Sequence, residues 1–225
     1  MDKLQYLNSI NKIKIYDVNS PEFAPYGCIV QGVDFSEALA YLRDSLPPVE
    51  GTKYIASLPD VEAMACTKSL SDLYFGCIDI EMGVCYGANN SLNALEYHKC
   101  NEINLSLEGC VLLLGLLSDL KDGRMDSSVV KAFYVPAGCA VELNQATLHF
   151  APCKVEEQGF RTLVALPRGT NNPLPEGREK GAGEAALLAT INKWILPHES
   201  NATWLGRGYP ACIFGENIEI RWNEG

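Results

Sequence analysis

The chain has 225 residues, 47% hydrophobic and 20% charged, which is enough apolar material for a sizeable core and far from a disordered composition. A net charge of −10 argues against nucleic acid or an anionic membrane surface as a partner. No apolar run reaches the roughly 18–20 residues of a bilayer span, and the start MDKLQYLNSINKIKIYDV reads as polar and β-like, not as a leader, so the expected location is the cytoplasm.

In chain order, Ile13–Tyr16 reads as a short strand, and Pro25 with Gly27 as a turn before a strand at Cys28–Gln31. Asp34 and Glu37 form a capping-box-like start to a helix with Phe35, Leu39, Leu42 and Leu46 at helical spacing, which Pro47 and Pro48 should stop. A strand in Gly51–Leu58 and a short helix at Pro59–Ala65 follow. Tyr74–Gly87 reads as one or two strands. After Gly109 come short strands at CVLLLGLL, Val129–Val135, Cys139–Leu143, Leu148–Ala151 and Gly159–Leu166, separated by turn signals. RGTNNPLPEGREKGAGE, from Arg168, reads as an exposed loop. Glu184–Ile195 reads as a helix stopped by Pro197, and Phe214–Trp222 as a closing strand.

The chemistry concentrates in NALEYHKCNEINLSLEG, Asn93–Gly109, which holds one of only three histidines. If Leu95–Lys99 and Glu102–Leu107 are strands, Glu96 and His98 share a face, and a turn at Cys100–Asn101 brings Glu102 back beside them. Tyr97 and Lys99 then point away. Two carboxylates and an imidazole on one face are too polar for an ordinary core, so a metal or a hydrogen-bonded network is implied. The nine cysteines are odd in number and form no Cys-x-x-Cys pair, so they read as reduced, structural thiols. His198, after Pro197, reads as a helix-end or surface residue.

This run resembles the first signature of the cupin superfamily: His98, Glu102 and Gly109 fall on its second His, its Glu and its final Gly, with Glu96 in place of the first His and Asn90 in place of the opening Gly. GCAVELNQATLHFAPC matches the spacing of the second signature. Gly138 and His149 fall on its first Gly and its His, while Asn144, Ala146 and Cys153 replace Pro, Gly and Asn. Phe23–Gly27 is similar to a segment near the start of ureidoglycolate lyase, and the whole layout is similar to a group of uncharacterised bacterial cupin-like proteins. The resemblance implies a mainly β fold: a cupin-type jelly-roll barrel with an N-terminal α/β extension (residues 1–73), a barrel core over about 74–167, and a C-terminal helix and strand over 168–225, in one domain.

The ligand set it implies is Glu96, His98, Glu102 and His149, two imidazoles and two carboxylates suited to Mn²⁺, Fe²⁺, Zn²⁺ or Ni²⁺. Such a site grips adjacent oxygens of a small sugar or organic acid. The expected activity is an isomerase or epimerase working through an ene-diolate, with Glu142 moving the proton, unless it is simply the outward face of its strand, and Arg161 either holding a substrate carboxylate or phosphate or lying on the surface. Two other readings stay open: a ureidoglycolate-lyase-like lyase, and a non-catalytic small-molecule-binding cupin, the latter because Asn90 and Asn144 depart from the signatures. A homodimer is expected.

Overall fold

The structure is a computed structural model and describes residues 1–47 and 51–223. In chain order the elements are α1 (Lys3–Ile10), β1 (Ile15–Asp17), β2 (Gly27–Ile29), α2 (Ser36–Ser45), β3 (Thr52–Ile55), α3 (Pro59–Glu62), α4 (Ala65–Tyr74), β4 (Ile80–Gly87), β5 (Ala94–Tyr97), β6 (Glu102–Ser106) and β7 (Cys110–Leu116). Then come β8 (Met125–Asp126), β9 (Lys131–Val135), β10 (Ala140–Leu143), β11 (Thr147–Leu148), β12 (Cys153–Lys154), β13 (Phe160–Pro167), β14 (Leu188–Thr190), β15 (Lys193–Pro197), α5 (Ala202–Gly206) and β16 (Ile213–Phe214). The fold is mainly β, and no described helix is long and apolar enough to cross a membrane.

Two sheets pack face to face in a jelly-roll-like layout. One has the order β2-β10-β6-β13-β4-β3; the other runs β1-β9-β7-β11, with β12 also on β7. A third ladder, β14-β15-β5, joins the second sheet through an antiparallel bridge between Glu96 and His149. Alternation along each strand divides the buried apolar side chains among three cores. On β7, Cys110, Leu112 and Leu114 point between the sheets, where they meet Phe133, Val141, Leu143 and Phe160. Val111 and Leu113 point outward into a core with Leu95, Tyr97, Leu148 and Leu196. Behind the first sheet, Ile103, Leu105 and Leu163 pack under α2 and α4 through Leu42 and Leu70.

Several elements differ from the sequence expectation, each for a local reason. The N-terminus is helical, not β-like: the Asp2 carboxylate accepts from Gln5 N at 2.8 Å, and the Gln5 side chain accepts from Asp2 N at 3.3 Å. That reciprocal cap satisfies donors at the first turn of α1 and lets it bury Leu7. Residues 66–73, to which no element was assigned, lie in α4, which also takes in Tyr74, expected to begin a strand. On α2, Asp34 bonds Ser36 and not the helix N3 amide; Pro48 lies outside the described residues.

The expected helix at Glu184–Ile195 is a β-hairpin. Only Gly183–Leu187 is a 3-10 turn; β14 and β15 follow, and β15 pairs with β5 from Trp194↔Tyr97 to Pro197↔Ala94. Thr190, Ile191, Trp194 and Ile195 favour extended backbone, and Asn192 supplies the left-handed turn at φ +57°. Leu187, Leu188, Ile191 and Ile195 match helical spacing and a hairpin equally well, and the open edge of β5 decides in favour of the hairpin. At the chain's end only Ile213–Phe214 is strand, although Ile218 and Ile220 are buried.

Phe23 and Tyr26 are buried against Phe133 with ring centroids 5.3 and 5.1 Å away, so this segment serves the core. Gly83 lies on the inner face of β4, where a Cβ would sit 2.5 Å from Ile55 O and 2.7 Å from Ala56 O. The chain leaving β3 therefore crosses close over the sheet there.

Candidate metal centre

β5 and β6 form the two arms of a turn, and both aim polar side chains between the sheets. On β6, Glu102, Asn104 and Ser106 share the inner face while Ile103 and Leu105 go to the helix side. His149 comes from 47 residues further on and is registered against β5 by the bridge: Glu96 N donates to His149 O at 2.6 Å and His149 N to Glu96 O at 3.0 Å. The structure thus brings Glu96, His98, Glu102 and His149 together. Glu102 Oε2 lies 3.2 Å from Nε2 of both imidazoles, and Glu96 Oε1 is 3.9 Å from His98 Nε2. Glu96, His98 and His149 offer ligand atoms that all lie within 4.8 Å of one another.

Both imidazoles are held in one tautomer. His98 Nδ1–H donates to Asn192 O at 2.7 Å, and His149 Nδ1–H donates to Thr147 O at 2.8 Å. Each ring therefore turns Nε2, with its lone pair, toward the carboxylates. His98 is 1% exposed, and its Nε2 has no hydrogen-bond partner. Two lone pairs facing carboxylate oxygens in a buried space need a cation among them, either protons or a metal ion. Separations near 3.2 Å also suit ligand atoms arranged ~2.1 Å around a common centre. The donor set fits a divalent transition metal. Asn104 supports it by donating from Nδ2 to Glu102 Oε1 at 3.0 Å.

Without an ion, the protons are held tightly. Burial works to lower the pKa of His149, but the charge and hydrogen bond of Glu102, then the charge of Glu96, push it up to about 9. Burial works to raise the Glu102 carboxyl, yet the two imidazoles outweigh it and hold it well below the usual carboxylate range. A histidine whose folded pKa is raised stabilises the fold fully below its unfolded value of ~6.5, and that stabilisation is lost as pH rises through the folded value. A metal ion must displace the same proton, so its affinity climbs with pH across the same window, by about tenfold per unit for one proton. Thermal melts in EDTA should therefore fall between pH 6.5 and 9.5, while melts with saturating Mn²⁺ hold level or rise. Parallel curves would show that His149 does not exchange a proton for the ion.

The cluster opens into a cavity of about 550 Å³, a size suited to a small metabolite. Lys53, Tyr54, Asn104, Phe150, Asn171 and Lys193 are among its walls. Lys193 Nζ lies 2.5 Å from Glu96 Oε2 as an ion pair, without hydrogen-bond alignment, and its side chain is only 17% exposed. The Tyr54 hydroxyl accepts from Asn171 Nδ2 at 3.1 Å. Burial, then the negative charge of Glu102, raises the pKa of Tyr54 against the opposing Asn171 bond, so the phenol keeps its proton. Asn104 was legible from alternation with Glu102. Lys193 was not, because its stretch reads as helical.

The two residues expected to act on substrate lie elsewhere. Glu142 pairs with Ile103 across β10 and β6, which places it on the face opposite Glu102. There it accepts from Asn101 Nδ2 at 2.8 Å and faces Cys28. Arg161, two strands from β10 on β13, also points to the helix side. Its guanidinium pairs with buried Glu108 and donates to the carbonyls of Leu42, Arg43 and Leu46, at the end of α2. It caps a helix and pins it to the sheet. Arg161→Met should cost about 3–5 kcal/mol of stability by stranding Glu108, with metal uptake unchanged, and Glu142→Gln should alter neither. Loss of metal from either variant would put that residue back in the site.

Tyr97 points away from the cluster, as expected, but is fully buried: it stacks on Trp194 at 5.3 Å and donates to Glu184 at 2.6 Å. His198 is buried rather than superficial, bonded through Nδ1 to Ser200 Oγ at 2.8 Å and through Nε2–H to Gly215 O at 3.2 Å.

The sequence matches the family described as Domain of unknown function (DUF4867) over residues 15–218. No curated protein matches it. Among solved structures, it is similar to a mutant of the oxalate decarboxylase of Bacillus subtilis, with 12% identity and a TM-score of 0.33 over 54% of this chain and 28% of that one. It is also similar to an oxalate oxidase in complex with the substrate analogue glycolate (18% identity, TM-score 0.31, 55% of this chain and 53% of that one). A third is the polyketide cyclase RemF from Streptomyces resistomycificus (17% identity, TM-score 0.31, 55% of this chain and 69% of that one). The chain thus spans under a third of the decarboxylase's length.

Proposed function

The chain belongs to the family described as a domain of unknown function, DUF4867, and from the converging Glu96, His98 and His149, with Glu102 against both imidazoles, we propose a metal-dependent enzyme acting on a small polyhydroxylated or carboxylated metabolite. The reaction in this reading is an isomerisation or epimerisation by proton transfer at a carbon beside a carbonyl. One observation carries it: two imidazoles locked by backbone carbonyls present Nε2 to two carboxylates that line a metabolite-sized cavity. His98, His149, Glu102 and Glu96 would hold the ion, which when bound supplies Lewis-acid polarisation of a substrate oxygen.

The chain's own groups do the rest. Asn104 fixes Glu102, and Asn192 fixes His98. Tyr54, held protonated, donates to a substrate oxygen as negative charge develops there. With Glu142 on the far face of the sheet, the proton passes to a carboxylate within the cluster. Glu96 is the one whose far oxygen, Oε2, is turned from the imidazoles toward the Lys193 ammonium at the cavity wall.

The test is metal analysis of the purified protein, followed by a screen of aldoses, ketoses and uronates with Mn²⁺, Zn²⁺ or Ni²⁺, read by NMR in D₂O. Solvent deuterium should enter the product carbon. Glu96→Gln should slow turnover by roughly 10²–10⁴-fold, the contribution of a positioned base, at a metal loading measured alongside and restored with excess ion. Turnover without exchange would point to lyase or hydride-shift chemistry. A stoichiometrically metal-free protein that binds a ligand unchanged would make it a binding protein.

A further inference from the structure

The cavity is unevenly charged. At its inner end, Glu96 and Glu102 contribute two negative charges, which a divalent cation there would cancel. Among the described residues, the remaining charged side chains on its walls are Lys53 and Lys193, both cationic, in a chain whose net charge is −10. The walls also present neutral donors: the Tyr54 hydroxyl, and amides of Asn104 and Asn171 that are partly engaged with Glu102 and Tyr54. A positive pocket in an acidic protein is a selective feature, because the long-range field repels anions while the site itself attracts them.

Lys193 is the better placed of the two cations. Its stem crosses the wall beside Phe150, with Nζ 6.0 Å from the ring centroid. The ammonium touches Glu96 Oε2, whose partner oxygen faces the imidazoles. An ammonium carries three donors, and the single contact to Glu96 leaves the others to point into the cavity. Lys193 Nζ is therefore one carboxylate's width from the ligand cluster. A substrate carboxylate held there keeps its neighbouring carbon, and any oxygen on that carbon, within reach of the cluster. A neutral polyol has nothing to offer this ammonium that water does not already supply.

We propose that Lys193 is a substrate-anchoring residue that makes the site selective for 2-oxygenated monocarboxylates (hydroxy acids, keto acids and sugar acids) over neutral sugars. This rests on the metal-site reading and narrows its substrate class to anions. The lysine follows directly on Asn192, whose carbonyl orients His98, so one hairpin tip fixes both a ligand and the anion anchor.

The experiment uses a matched pair that differs only at the end group: D-gluconate and D-glucitol, titrated by calorimetry into the full-length protein loaded with Mn²⁺, with manganese measured independently. Gluconate should bind at least about tenfold more tightly than glucitol. Lys193→Met should remove that preference and leave the manganese content unchanged, and Lys193→Arg should restore most of it. Lys53→Met, which keeps Lys193, should have a smaller effect. Equal binding of the two ligands by manganese-loaded protein, or gluconate binding that survives Lys193→Met, overturns the anchor. Absence of any gluconate binding by the loaded protein overturns it too. Failure to take up manganese or another divalent metal counts against the metal reading instead, and the metal measurement reports it separately.

Discussion

His98→Ala should leave a folded protein that no longer holds a divalent metal. The imidazole is 1% exposed, and its Nδ1–H is fixed on Asn192 O, so no neighbour can rotate in to replace it. Changes to residues that merely support a ligand cost about 10–100-fold in metal affinity, so losing the ligand should cost more than ~100-fold. Activity should disappear in parallel. The fold itself should persist at reduced stability, because His98 lies outside all three apolar cores while its bond to Asn192 O is lost. Metal content by mass spectrometry together with circular dichroism decides it. Full metal occupancy in His98→Ala would place the ion elsewhere or nowhere.

Phe133→Ala should have the largest effect on stability. Its ring is fully buried between the sheets and is surrounded by Tyr16, Phe23 and Tyr26, with centroids at 5.7, 5.3 and 5.1 Å. Removing it opens a cavity that four rigid strands cannot close, at a cost of about 3–5 kcal/mol. Against a total stability of ~5–15 kcal/mol, that moves the urea midpoint sharply and threatens folding at 37 °C. Leu73→Ala, at 62% exposure, is the control and should change almost nothing. Equal midpoints for the two variants would mean that the space between the sheets is not a packed core.

How much was legible in the sequence follows from how local each signal is. Glu96, His98 and Glu102 lie within one turn's reach, so strand periodicity alone puts them on one face. His149 could be added only by its spacing in a second motif, and the bridge to Glu96 shows why that spacing works. The apolar strands β7, β9 and β13 declared themselves by runs bounded with turn residues. The hairpin β14–β15 did not, because its apolar positions satisfy helical and extended spacing alike and the pairing edge of β5 lies about 100 residues away. That misreading concealed Lys193. Glu142 and Arg161 were misplaced for a different reason: in a strand buried on both faces, alternation says that neighbours part but not which side holds the chemistry.

The bridge between Glu96 and His149 also sets the order of events in time. Of the four converging side chains, three arrive within a single turn, but the fourth waits on a pairing across 53 residues, and the carbonyl that orients His98 waits on a hairpin 94 residues away. Distant pairings carry a loop-closure cost that must be met before they reward the chain, so they form after local turns. During refolding from urea, strand signal should therefore appear before manganese uptake. On the nascent chain the candidate site is complete only once residue 192 has emerged and docked against His98.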